Sequence, residues 1–175
     1  MNSEHSDIYL ETLLGDILEV YGYDFTGYSR ASLKRRIVRL YQLDHFVSFA
    51  EFRYKIRTEP GYFKRFLEEV TINVTEMFRD PSFYKTLRTE IRPKRGTYPC
   101  IRIWVAGCST GEEAYSIAIF LKELNLLHKS LIYATDINSA VLENAAQAMM
   151  PLSKIKLYTE NYIAAGGSEQ FSDYY

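Results

Sequence analysis

The sequence predicts two unlike parts, an all-helical N-terminal domain followed by a portion of the α/β class. Two observations carry that prediction. As far as Val70 the apolar residues recur at helical spacing. Beyond Cys100, short apolar runs alternate with amphipathic stretches, the pattern of parallel strands joined by crossover helices. The expected boundaries are 1–70 for the helical domain, 71–99 for a motif-bearing segment with a helix and a linker, and 100–175 for the α/β portion.

In the first domain, "DIYLETLLGDILEVYG" repeats apolar residues at Ile8, Leu10, Leu13, Leu14, Ile17, Leu18 and Tyr21, and Gly22 ends the helix. "SRASLKRRIVRLYQL" follows with Ser29 as N-cap and a buried stripe of Leu33, Ile37 and Leu40. "SFAEFRYKI" and "YFKRFLEEV" predict two more short helices, separated by a Pro60-Gly61 break. "TINVTEMFRDPSFYKTL" starts extended, then offers Asp80 as N-cap and Pro81 as first residue of a helix to about Ile91. "RPKRGTYP" reads as an exposed linker. "CIRIWVAG" is then a strand, "GEEAYSIAIFLKEL" a helix, "SLIYATD" a strand and "NSAVLENAAQAM" a helix. After Pro151 the sequence is polar and aromatic without a clear third strand. Two strands are too few for a doubly wound sheet, so we expect a piece of a longer enzyme with an exposed or partner-covered sheet edge.

Composition narrows the function classes. The 175 residues are 47% hydrophobic and 25% charged, with a net charge of -1. A neutral chain has no general pull toward nucleic acid or membrane, so electrostatic recognition must come from local patches. Cys100 and Cys108 supply neither a disulfide framework nor a zinc spacing, and the scattered His5, His45 and His128 suggest no metal site or catalytic dyad. Neither a signal peptide nor a membrane-length apolar run is present, which predicts a soluble, cytoplasmic protein without direct membrane insertion.

Three motifs carry chemistry. In "VAGCSTGEEAYSIAI", Gly107 and Gly111 occupy a turn between strand and helix, where backbone amides face a ligand; an ordinary βα turn has the same spacing. No Lys-Ser/Thr follows, which excludes a P-loop. Glu112 and Glu113 stand at the mouth and disfavour a pyrophosphate, so a cationic nucleoside without phosphate fits better. Asp136 ends the second strand, where an acid reaches ribose hydroxyls or caps the next helix. S-Adenosyl-L-methionine has the required parts. In "NVTEMFRD", Arg79 is suited to clamping a carboxylate, with Asn73 and Thr75 bonding polar groups; alternatively the stretch is a linker with an exposed arginine. "RASLKRRIVR" carries Arg30, Lys34, Arg35, Arg36 and Arg39 without an acid. It reads as a solvated face or as a surface for an acidic protein, and nucleic acid is disfavoured by the neutral chain and the lack of interleaved aromatics.

Together these motifs resemble the chemotaxis receptor glutamate methyltransferases, the CheR family. "NVTEMFRD" is similar to that family's N-V-T-x-F-F-R-D signature, with Met77 in place of the aromatic, and "AGCSTGEEAYSIAI" and "ATDINSAVLENA" are similar to its cofactor segments. The resemblance implies a Rossmann-like S-adenosylmethionine domain behind the helical one. It also implies methyl transfer to glutamates on the cytoplasmic helical region of chemoreceptors. Carried over, Asn73, Thr75, Arg79, Gly107, Glu113 and Asp136 become cofactor-binding candidates, with Arg79 also a catalytic candidate. Arg35, Arg36 and Arg39 become candidates for binding the receptor. A non-catalytic module that binds S-adenosylmethionine or receptor helices is the alternative.

Overall fold

The periodic stretches of the first part fold as α1 (Ser3–Tyr21), α2 (Arg30–Leu43), α3 (Phe49–Thr58) and α4 (Pro60–Val70). The computed structural model describes residues 3–94, 96–97 and 99–175, without the side chains of residues 3–6 and 94. The His5 side chain is therefore left aside, and Arg95 and Tyr98, part of the expected linker, lie outside the described residues. The chain divides into two compact units, Met1–Ile72 and Asn73–Tyr175.

In the first unit the core is formed by Leu10, Leu13, Leu14 and Ile17 of α1 with Leu33, Ile37 and Leu40 of α2. Phe52 and Ile56 of α3, Phe63, Phe66, Leu67 and Val70 of α4, and Phe25 between α1 and α2 complete it. Ile8 and Leu18 belong to the expected stripe but are 64% and 48% exposed, so the apolar face of α1 is narrower than its sequence suggests. Pro60 does not break the helices as expected. It is the first residue of α4, where its missing N–H and fixed φ suit a helix start, and the junction is Glu59. A buried Asp16 accepts hydrogen bonds from Arg53 and Arg57 and thereby ties α1 to α3. Asp44, at the end of α2, accepts from Tyr62 at 2.7 Å and from both ends of the Arg65 fork, which ties α2 to α4.

In the second unit, residues 73–76 adopt no regular structure, α5 (Pro81–Ile91) runs into a 3-10 turn (Arg92–Lys94), and β1 (Ile101–Ala106) follows. Then come α6 (Glu112–Glu123), β2 (Ser130–Thr135) and α7 (Ser139–Ala146). The strands pair in parallel, with Ile101 opposite Ser130 and Ala106 opposite Thr135, as a βαβ unit requires. Ile101, Ile103 and Ile132 pack toward the core, while Trp104, Leu131 and Tyr133 on the other face are 71%, 48% and 49% exposed. This is a partial Rossmann-like arrangement with one sheet face covered.

The segment after Pro151, which offered no clear third strand, contains α8 (Ile155–Ala164). Tyr158 and Tyr162 form its buried stripe and, with Ala165 just past its end, join Met77, Phe78, Tyr84, Phe120 and Leu121 in the second core. Glu123 is held inside the same unit by Arg88 and by the Tyr162 hydroxyl.

Candidate functional site

The apolar strand β1 ends at Ala106, and the chain turns from there into α6. Gly107 has φ 76° and Gly111 φ 97°, a region that L side chains rarely adopt. The two glycines differ in their surroundings. A Cβ on Gly107 would meet nothing within 4 Å, so this part of the turn is open to a ligand. A Cβ on Gly111 would lie 2.9 Å from the Tyr115 ring and 3.1 Å from Ala145, so Gly111 serves close packing of α6 and α7. The amides of Gly107 and Cys108 donate to the Thr135 carbonyl, which pins the turn to the end of β2.

The two glutamates point to different places. Glu112 does not stand at the mouth, contrary to expectation. It is 3% exposed and accepts hydrogen bonds from Thr110 Oγ1 at 2.6 Å and from the Tyr158 hydroxyl at 3.2 Å. Glu113 is exposed and lines a cavity of about 350 Å³ together with Thr75, Arg79, Phe83, Tyr84 and Gly107. That volume suits a small ligand. Arg79 projects from a turn and donates from Nη1 to the Val74 carbonyl at 3.2 Å, which leaves further guanidinium donors for a ligand. Of the candidate cofactor residues, this cavity therefore gathers Thr75, Arg79, Gly107 and Glu113. Asn73 starts the same segment outside the lining.

Asp136 follows β2 and is half-buried. Its Oδ2 accepts from the Ser109 amide at 2.8 Å and its Oδ1 from the Asn138 amide at 2.9 Å. It does not cap α7; Asn138 does, accepting from the Ala140 amide at 3.0 Å. Asp136 thus joins the glycine turn to the loop before α7 and keeps carboxylate lone pairs to spare. Burial raises the pKa of the nearby Cys108 thiol, and the charges of Asp136 and Glu113 add to the rise, a sign of the negative field at this turn.

Several features of the site were not apparent from sequence spacing. Tyr84 is buried beside the cavity, and burial pushes its pKa up to about 12, so it stays a neutral phenol. Phe83, 51% exposed, meets the Tyr84 ring edge to face. Ser109, with φ 50°, holds a buried hydroxyl that has no hydrogen-bond partner among the described residues. Pro81 does signal the start of α5, whose first turn brings Phe83 and Tyr84 to the cavity.

These residues fit a cationic amino-acid nucleoside. Glu113 offers an acceptor suited to an ammonium, Arg79 donors suited to a carboxylate, and Gly107 an uncovered backbone. Among the described residues no three His, Cys, Asp or Glu side chains could hold a metal ion.

The basic helix α2 distributes its charges unevenly. Arg30 pairs with Glu11 at 3.2 Å and Lys34 with Asp7 at 2.6 Å, both acids on α1. Arg36 turns inward, and its Nη1 donates to the Glu69 and Thr71 carbonyls at 3.4 and 3.3 Å, where α4 ends. Arg35 and Arg39 are exposed and make no ion pair among the described residues. Among the described residues no helix is long and apolar enough to cross a membrane.

Residues 9–71 match the family described as CheR methyltransferase, all-alpha domain, and residues 73–173 the CheR methyltransferase, SAM binding domain. The Pseudomonas putida protein named Cher3 is 43% identical over an alignment of 176 positions that covers 100% of this chain and 64% of that protein. Chemotaxis protein methyltransferase 2 of Pseudomonas aeruginosa is 37% identical over 131 residues, 74% of this chain and 45% of the relative. The chemotaxis protein methyltransferase of Escherichia coli is 29% identical over 134 residues, 75% of this chain and 44% of the relative. The chain thus spans between 44% and 64% of the length of these relatives.

Proposed function

The chain belongs to the CheR methyltransferase family, with S-adenosyl-L-methionine as the cofactor of its second domain, and from that premise we propose that it serves the methylation of glutamate side chains on the cytoplasmic helical region of chemoreceptors. The products are glutamate methyl esters and S-adenosyl-L-homocysteine, formed in the cytoplasm. The observation that carries the reading is one cavity with Arg79 and Glu113 both on its wall beside the uncovered backbone of Gly107. A carboxylate and a guanidinium together suit the ammonium and carboxylate of a free amino-acid end.

When bound, the cofactor supplies a methyl group activated by its sulfonium. In our reading Glu113 holds the ammonium end, Arg79 the carboxylate end and Asp136 the ribose, with Asn73 and Thr75 on the polar flank. Arg79 also fits a catalytic role, orienting the incoming substrate carboxylate by its positive charge. A glutamate side chain, with an ordinary pKa of about 4.3, is already ionised near neutral pH. The protein therefore needs no general base, and its contribution is alignment and exclusion of water. Arg35 and Arg39, exposed on α2, are the proposed contacts for the acidic receptor helices, and Arg36 supports them by fixing α2 against the end of α4.

The test is transfer of a labelled methyl group from S-adenosylmethionine to a purified receptor cytoplasmic bundle by the full-length protein. We expect base-labile label on glutamates. Cofactor binding without any label on the bundle would favour the non-catalytic signalling module instead.

A further inference from the structure

Arg79 is flanked by two non-glycine residues in the left-handed region, Phe78 at φ 51° and Asp80 at φ 56°. Such backbone is unfavourable for a residue with a Cβ and persists only where its surroundings over-determine it. The restraint here acts on both ends of one peptide group. The side-chain amide of Asn161, on α8, donates to the Met77 carbonyl at 3.1 Å. The Phe78 amide, the other end of that peptide, donates to Ser116 Oγ at 2.8 Å. Ser116 is fully buried, and its hydroxyl donates onward to the Glu112 carbonyl at 2.7 Å, so the first turn of α6 is the anchor. The Phe78 ring, 0% exposed, packs against Tyr84, Tyr162 and Phe171. Backbone and ring are both fixed, and the Arg79 side chain that follows lines the cavity, with Asp80 next to it.

We propose that Asn161 and Ser116 are positioning residues of the cofactor site, which clamp the Met77–Phe78 peptide between α8 and α6 and so aim Arg79 across the cavity. Neither lines the cavity. The inference rests on the assignment of Arg79 to the carboxylate end of the cofactor. It gives α8 a role in the site even though the helix contributes no residue to its wall.

The test compares two ligands in the full-length protein by calorimetry. One is S-adenosylhomocysteine; the other is 5′-methylthioadenosine, which keeps the nucleoside and thioether but lacks the amino-acid end. Asn161→Ala is expected to weaken S-adenosylhomocysteine by about five- to tenfold, the worth of one hydrogen bond, and to leave methylthioadenosine unchanged. In an Arg79→Ala background the same substitution should change S-adenosylhomocysteine affinity by less than about twofold, because the two residues act as a unit. An equal loss in both backgrounds, or for both ligands, overturns the positioning role and leaves Asn161 a residue of the fold. No effect of Arg79→Ala alone removes the assignment of Arg79, and the inference with it. Ser116→Ala, which removes one buried oxygen, runs through the same cycle with the same expected outcomes should Asn161→Ala not fold.

Discussion

Glu112 and Glu113 are adjacent, identical in chemistry, and opposite in use. Helical geometry turns consecutive side chains by about 100°, so one of a neighbouring pair can enter a core while the other faces out. Glu112 enters, and two hydroxyls satisfy its carboxylate. Its replacement by alanine strands the Tyr158 hydroxyl in the core and should lower stability by about 1–3 kcal/mol, measurable by urea unfolding. Glu113→Ala should stay within about 0.5 kcal/mol of wild type in the same experiment, as for other exposed substitutions. Equal destabilisation by both would contradict the division. The spacing of "TGEE" places the pair at the start of α6, but which one turns inward depends on Tyr158, which lies on a different element.

At the level of elements, the first unit depends on polar ties as well as on its core. The hydrogen bond from Arg53 is the main cause that holds the Asp16 carboxyl below its usual pKa, with the charges of Arg53 and Arg57 acting in the same direction and burial opposing them. A folded-state pKa below the unfolded value means stability that is present above about pH 4, the unfolded carboxylate value, and lost as pH falls through the folded pKa. We expect acid to loosen this unit in that window, and Asp16→Asn, with no carboxylate to protonate, to show a flatter dependence of unfolding free energy on pH. An unchanged slope would show that Asp16 plays no part. Much of the element order was legible: Pro81 announces α5, the apolar runs announce β1 and β2, and Leu33, Ile37 and Leu40 are the buried stripe of α2. Helix α8 was not, because its buried stripe is made of tyrosines, whose hydroxyls give a half-polar pattern while their rings fill the core. The inward turn of Arg36 was hidden for a related reason. Its partners are backbone carbonyls at Glu69 and Thr71, which carry no residue-specific signal.

On the scale of the whole molecule, each unit has its own core, and each carries a separate share of the proposed function. The net charge of -1 conceals a local asymmetry, since Arg35 and Arg39 remain unpaired among the described residues while Arg30 and Lys34 are neutralised by α1. Charge reversal at Arg35 and Arg39 together should weaken binding to an acidic receptor bundle by about tenfold or more at low salt, with a smaller loss at high salt. Cofactor affinity should not move, and a parallel fall in both would contradict the division of labour. The motifs alone offered Thr75, Arg79, Gly107 and Glu113 as candidates beside bland readings of the turn and the arginine, and the family resemblance joined them in one site. The most direct measurement of the central claim is calorimetry of S-adenosylhomocysteine with the full-length protein, wild type beside Glu113→Ala. We expect binding by the wild type and a loss of about tenfold or more in the variant, the worth of a charge-assisted hydrogen bond. Equal affinity in the two would contradict the placement of the amino-acid end at Glu113, and no binding by the wild type would contradict the cofactor site itself.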